Sequence, residues 1–504
     1  MLPLDQTIIH QDGSSAQPNP PVFLLAPHLF VAGDFKVTVL MEGIDSIGSF
    51  RLYAHPPVVY DQWRYESPSI EVEAATSTIV VRVWDGSSSR SIDMRTYPFV
   101  FKNSTEVFIE HIGNTFRISA NKRVFGSIPD HSILENQEVW FGASAGEGNG
   151  WLLAAVNAEP LEGGSVTVLP PPLFAVPHDE KSALRNLAQT TPHKLQIGAA
   201  VSFGALVTDE KYRDLAVGQF SMWTPENGMK PQFIHPGKDA YSFGEMDVLV
   251  RIALQNNIQV HGHALVYAKS NPSWITDTAK EEREQVMVDH IQNVAGHFKG
   301  KVVEWDVVNE PLSNKKVAYH DNRRGLDSTL WYEAMGEQYI DKAFFAAHEA
   351  DPAAKLYIND YGLERDGERW DALVALVKRL KSRGVPIDGV GFEAHIYNDG
   401  DYIDEDQLEA HMKALAHLGL SARISEIDVT GDDASMQIQE YTTTLAVCLR
   451  AQNCTSYTTW GITDRYGSTT RSDRYPLVFG TSLLWDSALK EKPVVLSLRG
   501  AFLH

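Results

Sequence analysis

From residue 195 onward the chain alternates between short β-branched runs and stretches of helical spacing, and this alternation leaves few folds open. Candidate strands fall at 196–201, 220–225, 259–266, 302–309, 355–359, 390–396, 423–429 and 457–462. Between them lie apolar stripes. Trp370, Leu373, Val374, Val377 and Leu380 form one, closed by Gly384 and Pro386, and Val286, Ile291, Val294 and Phe298 form another. Eight β/α alternations over roughly 310 residues predict a (β/α)8 TIM barrel, with its site at the carboxyl ends of the strands.

The part before residue 169 has a different rhythm. Runs at 35–41, 70–74, 78–84 and 106–112 are β-branched or alternate apolar with polar, and turn residues separate them. Gly113-Asn114 between two such runs reads as a tight hairpin turn. No long stretch of helical period interrupts this region, so an all-β sandwich of jelly-roll type is expected. The expected organisation is a tail over 1–20, the sandwich over 21–168, a Pro-rich linker over 169–180 and the barrel over 181–504.

With 504 residues, the chain is too long for one core. Lys and Arg number 44 against 65 acids, a net charge of −21, which lacks the basic footprint of a nucleic-acid binder or of a protein that sits on anionic membrane. No apolar run is long enough for a membrane helix. Residues 1–20 show no signal-peptide pattern.

The run 302–311, Val-Val-Glu-Trp-Asp-Val-Val-Asn-Glu-Pro, reads as a buried strand that delivers Glu310 to the barrel mouth. Glu426, within Arg423-Ile-Ser-Glu-Ile-Asp-Val429, has a similar setting three strands later. Taken singly, Glu310 also reads as a surface loop residue; two such glutamates facing one crevice are what a retaining glycosidase needs, with carboxyls about 5–5.5 Å apart.

The stretch from about 181 to 504 resembles glycoside hydrolase family 10, the β-1,4-xylanase family. The motifs that carry this are Thr224-Pro-Glu-Asn-Gly-Met-Lys230, Gly262-His-Ala-Leu-Val-Tyr267, Pro272-Ser-Trp274, Trp305-Asp-Val-Val-Asn-Glu310, Tyr357-Ile-Asn-Asp-Tyr361, Gly391-Phe-Glu-Ala-His395, Ile424-Ser-Glu-Ile-Asp428 and Thr459-Trp-Gly-Ile-Thr-Asp464. The resemblance implies a retaining endo-β-1,4-xylanase with Glu310 as acid/base, Glu426 as nucleophile and His395 orienting Glu426. It implies that Asn309, His263, Lys230 and Trp460 contact the sugar at the cleavage point, and that Glu226 and Asn227 hold the next sugar. No cofactor and no metal is implied. His261 and His263 share a strand face without a third ligand at suitable spacing. Trp460 also fits a plain core position, and Asp360 and Asp428 read as structural hydrogen-bonding residues.

The sequence departs from the family pattern in the pocket. Tyr267-Ala268 stands where the family has Trp-His, Ser270 and Glu393 each replace a glutamine, and Tyr466-Gly-Ser-Thr occupies the place of a second tryptophan. Tyr267 and Glu393 are therefore sugar-contact candidates of this chain's own kind. Glu393 adds a carboxyl that, near Glu426, changes how the pair titrates. Two rival readings follow: the same barrel acting on another β-linked glycan, and a catalytically silent glycan-binding protein. The resemblance also implies a Cys448–Cys454 disulfide, and with it an oxidising, secreted or periplasmic setting. Glu138-Val-Trp-Phe-Gly-Ala followed by Gly150-Trp-Leu-Leu resembles the last strands of sandwich modules found ahead of some family 10 domains, so a carbohydrate-binding role is expected of the N-terminal sandwich. Trp63, Tyr65, Trp84 and Trp140 are the candidate glycan platforms, with core packing as the alternative.

Overall fold

The computed structural model describes residues 7–9, 22–42, 48–54, 58–59, 65–66, 68–75, 77–85, 91–102, 104–134, 138–145, 151–169, 180–238, 241–397, 402–431, 433–466 and 481–502. The chain divides into two compact units. One is Met1–Phe174 with His235–Val248 and Pro272–Trp274; the other is Ala175–Ile234 with Leu249–Asn271 and Ile275–His504. Most of the Pro-rich segment expected to link them lies outside the described residues.

The first unit holds two antiparallel sheets. One runs in the order Thr7–Ile9, Trp151–Pro160, Phe35–Glu42, Ser104–Ile112, Thr115–Ala120 and Arg123–Pro129. The other runs Ser165–Leu169, Val22–Ala32, Glu138–Ala145, Gly48–Tyr53, Pro68–Ala75, Thr78–Asp85 and Asp93–Pro98. Alternation decides which side chains meet: Val37, Val39, Ile109 and Phe116 from the first sheet share one core with Val72, Val81, Val83 and Phe141 from the second. The Gly113-Asn114 turn closes the expected hairpin, pairing Ile112 with Thr115, and Gly113 takes φ +58°, which its missing Cβ permits. Residues 7–9, expected in a tail, instead pair with 151–153 as an edge strand.

Of the aromatic platforms, Trp140 is buried, and Trp84 donates its indole N–H to Glu71 at 3.1 Å with the Arg51 guanidinium over its ring. Trp140 is thus a core side chain, and Trp84 is half-buried with a guanidinium on its ring. Trp63 lies outside the described residues, and Tyr65 belongs to the short strand Tyr65–Glu66.

In the second unit all eight expected strands form: β1 (Gln196–Val201), β2 (Met222–Pro225), β3 (Gln259–Tyr267), β4 (Glu304–Asn309), β5 (Lys355–Asp360), β6 (Gly389–Phe392), β7 (Ser421–Thr430) and β8 (Cys454–Thr459). Each pairs in parallel with its neighbours, β8 with β1 and β6 with β7, so the sheet closes into a TIM barrel. The helix Glu368–Ser382 follows β5 and buries Trp370, Leu373, Leu376, Val377 and Leu380. Val374, expected in that stripe, is half-buried beside it. The sixth strand is not continuous over 390–396. It breaks after Phe392, Ala394 takes φ +56°, and the chain resumes pairing with β7 at His395–Tyr397. An alanine in that left-handed region is strained, and the strain redirects Glu393 and His395 at the barrel mouth.

Candidate active site

The barrel interior is not wholly apolar. Arg423 on β7 is buried, lies over the Tyr357 ring of β5 at 4.4 Å, and reaches across to β4. There its guanidinium donates to Glu304 Oε1 at 2.6 Å and to Asp306 Oδ1. The other oxygen of Asp306 meets His261 Nε2 and His263 Nδ1, both at 2.9 Å. Burial pushes the Asp306 carboxyl up, but Arg423 and then His261 outweigh it and hold Asp306 far below the usual carboxylate range. This ion cluster is the floor on which the site stands. Gly262, between the two histidines, is dictated by packing: a Cβ there would lie 2.1 Å from the Trp305 ring.

Glu426 sits above that floor on β7, 5% exposed. Asn359 Nδ2 donates to its Oε1 at 2.7 Å, His395 Nε2 lies 3.3 Å from its Oε2, and His263 Nδ1 is 3.7 Å away. His395 is held in turn by Asp428, at 3.1 Å on the far side of its ring. Burial alone pushes His395 down; Asp428 and Glu426 reverse this and raise it well above an ordinary imidazole. For Glu426, burial pushes up, and His263 followed by His395 pull the carboxyl below its usual range. Glu426 is thus an ionised carboxylate in a nearly dry pocket.

Glu310 follows β4 directly. Its φ is +50°, a conformation costly for a side-chain-bearing residue, and its N–H is tied to the Asn359 carbonyl at 2.8 Å. Tyr267 donates to Glu310 Oε1 at 2.7 Å, and Lys269 pairs with Oε2. Asn359 therefore joins the two glutamates, its backbone to Glu310 and its side chain to Glu426. Its Oδ1 accepts from Ser425 at 2.6 Å, which fixes the amide's orientation.

The remaining expected residues gather around this pair. Asn309 accepts from Asn359 at 2.9 Å and Glu393 lies 3.2 Å from the same amide nitrogen. Trp460 continues from β8 with its ring 5.1 Å from that of His263, and Lys230 lies 5.6 Å from the Trp460 centroid. Lys230 also donates to Asn227 at 2.8 Å, and Glu226 is close enough to influence it. Burial holds the Lys230 ammonium below its ordinary range, despite the carboxylates of Glu426 and Glu226 nearby.

Several contributors carry no assigned role in the sequence. Asn359, Asp306 and Arg423 lie on barrel strands, where a hydrogen-bonding residue type is the available signal. Asp428, read as merely structural, is the residue that holds His395. Lys269, with its ammonium on Glu310, carried no signal in the sequence. Tyr466 donates its hydroxyl to Asp209 at 2.8 Å and meets the Tyr212 ring edge-on. Cys448 and Cys454 are bonded as a disulfide.

A closed β/α barrel presenting two glutamates, a histidine–aspartate pair and a tryptophan at one mouth defines a glycoside hydrolase of the TIM-barrel class. The chain belongs to glycosyl hydrolase family 10, which it matches over residues 183–500. It is 33% identical over 325 residues to endo-1,4-beta-xylanase B of Thermotoga neapolitana, covering 63% of this chain and 90% of that protein. It is 36% identical over 286 residues to a beta-1,4-xylanase of Dictyoglomus thermophilum, covering 54% and 78%. Among solved structures, xylanase 10B of Thermotoga petrophila RKU-1 in complex with xylobiose aligns at a TM-score of 0.59 and 34% identity, over 65% of this chain and 99% of that one.

Proposed function

We propose that the protein is an endo-β-1,4-xylanase that cleaves xylan with retention, Glu426 acting as nucleophile and Glu310 as acid/base. In the first step a Glu426 oxygen attacks the anomeric carbon while Glu310 gives its proton to the departing glycosidic oxygen, leaving a glycosyl ester on Glu426. In the second step Glu310, now a carboxylate, takes a proton from water as that water's oxygen displaces Glu426. His395 and Asn359 keep Glu426 ionised and aimed, and the Trp460 ring offers an apolar face to the sugar. Asn309, His263 and Lys230 bind that sugar's hydroxyls, and Glu226 and Asn227 those of the next.

The observation that carries this reading is the placement of two carboxyls at one barrel mouth, joined through Asn359. Glu426 is buried under Asn359 and His395, whereas Glu310, at the strand end, accepts from Tyr267 and pairs with Lys269, whose side chain is 57% exposed. The xylanase names of the relatives support xylan as substrate. The disulfide supports a secreted or periplasmic setting.

Incubation with xylan, followed by chromatography of the products and NMR of the first-formed anomer, tests the assignment. Short β-xylo-oligosaccharides released as the β-anomer are expected. Glu426→Ala should lose turnover and, with azide and an aryl β-xyloside, give the α-xylosyl azide; ordinary activity in Glu426→Ala would end the assignment. Tyr267, Ser270 and Glu393 favour a second reading, action on another β-linked glycan, which faster turnover of mixed-linkage glucan than of xylan would establish.

A further inference from the structure

Glu393 is the carboxyl that the double displacement leaves unused. It is 2% exposed, at the break after β6, with its N–H donated to the Asp360 carbonyl at 3.1 Å. Two nitrogens lie between it and Glu426. Asn359 Nδ2 is 3.2 Å from Glu393 Oε1 and 2.7 Å from Glu426 Oε1. His395 Nε2 is 3.6 Å from Glu393 Oε2 and 3.3 Å from Glu426 Oε2.

Counting hydrogens decides how these groups are shared. The Asn359 amide has two, and its nitrogen faces three acceptors: Glu426, Glu393 and Asn309 Oδ1. His395 Nε2 has one. At each nitrogen the shorter contacts go to Glu426 and Asn309 and use all three hydrogens, which leaves Glu393 with the longest approach to each. Other charged and titratable groups face it from every side: Glu426 on β7, Glu310 after β4, Asp360 on β5, Tyr267 and Lys269 at the end of β3, Lys230 after β2, and His395 beyond its own strand. Of the two lysines, Lys269 pairs with Glu310 and Lys230 donates to Asn227. A carboxylate at Glu393 therefore lacks the donors that a buried charge requires.

Resting on the reading of Glu426 as nucleophile, we propose that Glu393 is a positioning residue that works as a neutral carboxylic acid, leaving Asn359 and His395 to Glu426, and that its ionisation pulls both donors away and shuts the reaction down. Burial first, then the charges of Glu426 and Glu310, push the Glu393 carboxyl well above the ordinary range, in accord with the geometry.

The test uses the full chain and an aryl β-xylobioside whose leaving phenolate needs no proton, so that Glu310 drops out of kcat/KM. Wild type should lose kcat/KM on the alkaline side. Glu393→Gln, which keeps the shape and cannot ionise, should retain the acid limb and carry the alkaline limb up by at least about one pH unit. Coincident alkaline limbs would overturn the proposal. Infrared titration separates it from the functional reading: a protonated-carboxyl band present at neutral pH in wild type and missing from Glu393→Gln is expected whatever the substrate. Identical bands would likewise overturn it, whereas failure of wild type on every xyloside with the band difference intact would indict only the assignment of the reaction.

Discussion

Tyr267 donates its hydroxyl to Glu310 Oε1 at 2.7 Å, from the end of the strand next to the one that carries Glu310. Such a bond is strongest when Glu310 is a carboxylate, the form it reaches as it hands its proton to the leaving group. Tyr267→Phe should therefore slow the first step on substrates with poor leaving groups. A hydrogen bond to a charged group contributes about 1.5–3 kcal/mol, so a loss of roughly 10- to 100-fold in kcat/KM is expected. A dinitrophenyl glycoside, which leaves unaided, should be nearly insensitive. Equal losses on both substrates would show that Tyr267 shapes the pocket instead of assisting the acid.

The Asp428–His395–Glu426 chain gives a pH prediction with a definite sign. His263 first and His395 second hold Glu426 below its usual range, against the opposing push of burial. His395 keeps its proton because Asp428 and Glu426 flank it. Asp428→Asn removes one of those charges, so His395 should release its proton at a lower pH and Glu426 should take one up more readily. The acid limb of kcat/KM should move toward higher pH, with the plateau reduced. An unmoved acid limb would mean that His395 acts on Glu426 through orientation alone.

The barrel strands were legible because a parallel strand covered on both faces leaves a compact β-branched run, as at Val307-Val308 and Ile424. Glu310 and Glu426 were legible because two glutamates at such strand ends suit a retaining glycosidase and both lie in family 10 motifs. What held them was not. Arg423 and Asp306 lie 117 positions apart, and no local pattern announces a pair formed across a barrel. The break after β6 was hidden too, because Ala394 adopts a left-handed conformation that sequence signals reserve for glycine or asparagine. Asp428 read as structural because its role depends on the ring of His395, which that break turns toward it.

The disulfide ties the end of helix Ala434–Arg450 to the start of β8, closing a short loop between two buried cysteines. A loop of this length should contribute about 2–3 kcal/mol through the unfolded chain. Cys448→Ser with Cys454→Ser should lower the unfolding free energy by about that amount in guanidinium titrations. The same loss should appear in wild type held under strong reductant. A difference below about 0.5 kcal/mol between reduced and oxidised wild type would mean the bridge adds nothing beyond packing.

Arg423 offers the most direct test of the ion cluster beneath the site. Its partners Glu304 and Asp306 are buried, and removing the guanidinium takes away the charge they share, which for such pairs costs about 3–5 kcal/mol. Arg423→Met should therefore show a large loss in denaturant titrations at neutral pH, and asparagine at 306 in the same chain should restore part of it, since the two sites couple. The wild-type pH dependence follows from the same groups. Asp306 is depressed in the folded state, so its contribution is fully present above the unfolded value of about 3.9 and is lost as pH falls from there toward its folded value. Burial, reinforced by Arg423, depresses His261, so the unfolded chain takes up that proton first, below about pH 6.5. Both effects make acid destabilising, His261 first and Asp306 later. In Arg423→Met the acid-induced loss attributable to Asp306 should be reduced, because the largest of the charges that depress this buried carboxyl is gone. If the variant instead loses stability below pH 4 as steeply as wild type, the depressed state of Asp306 does not depend on Arg423.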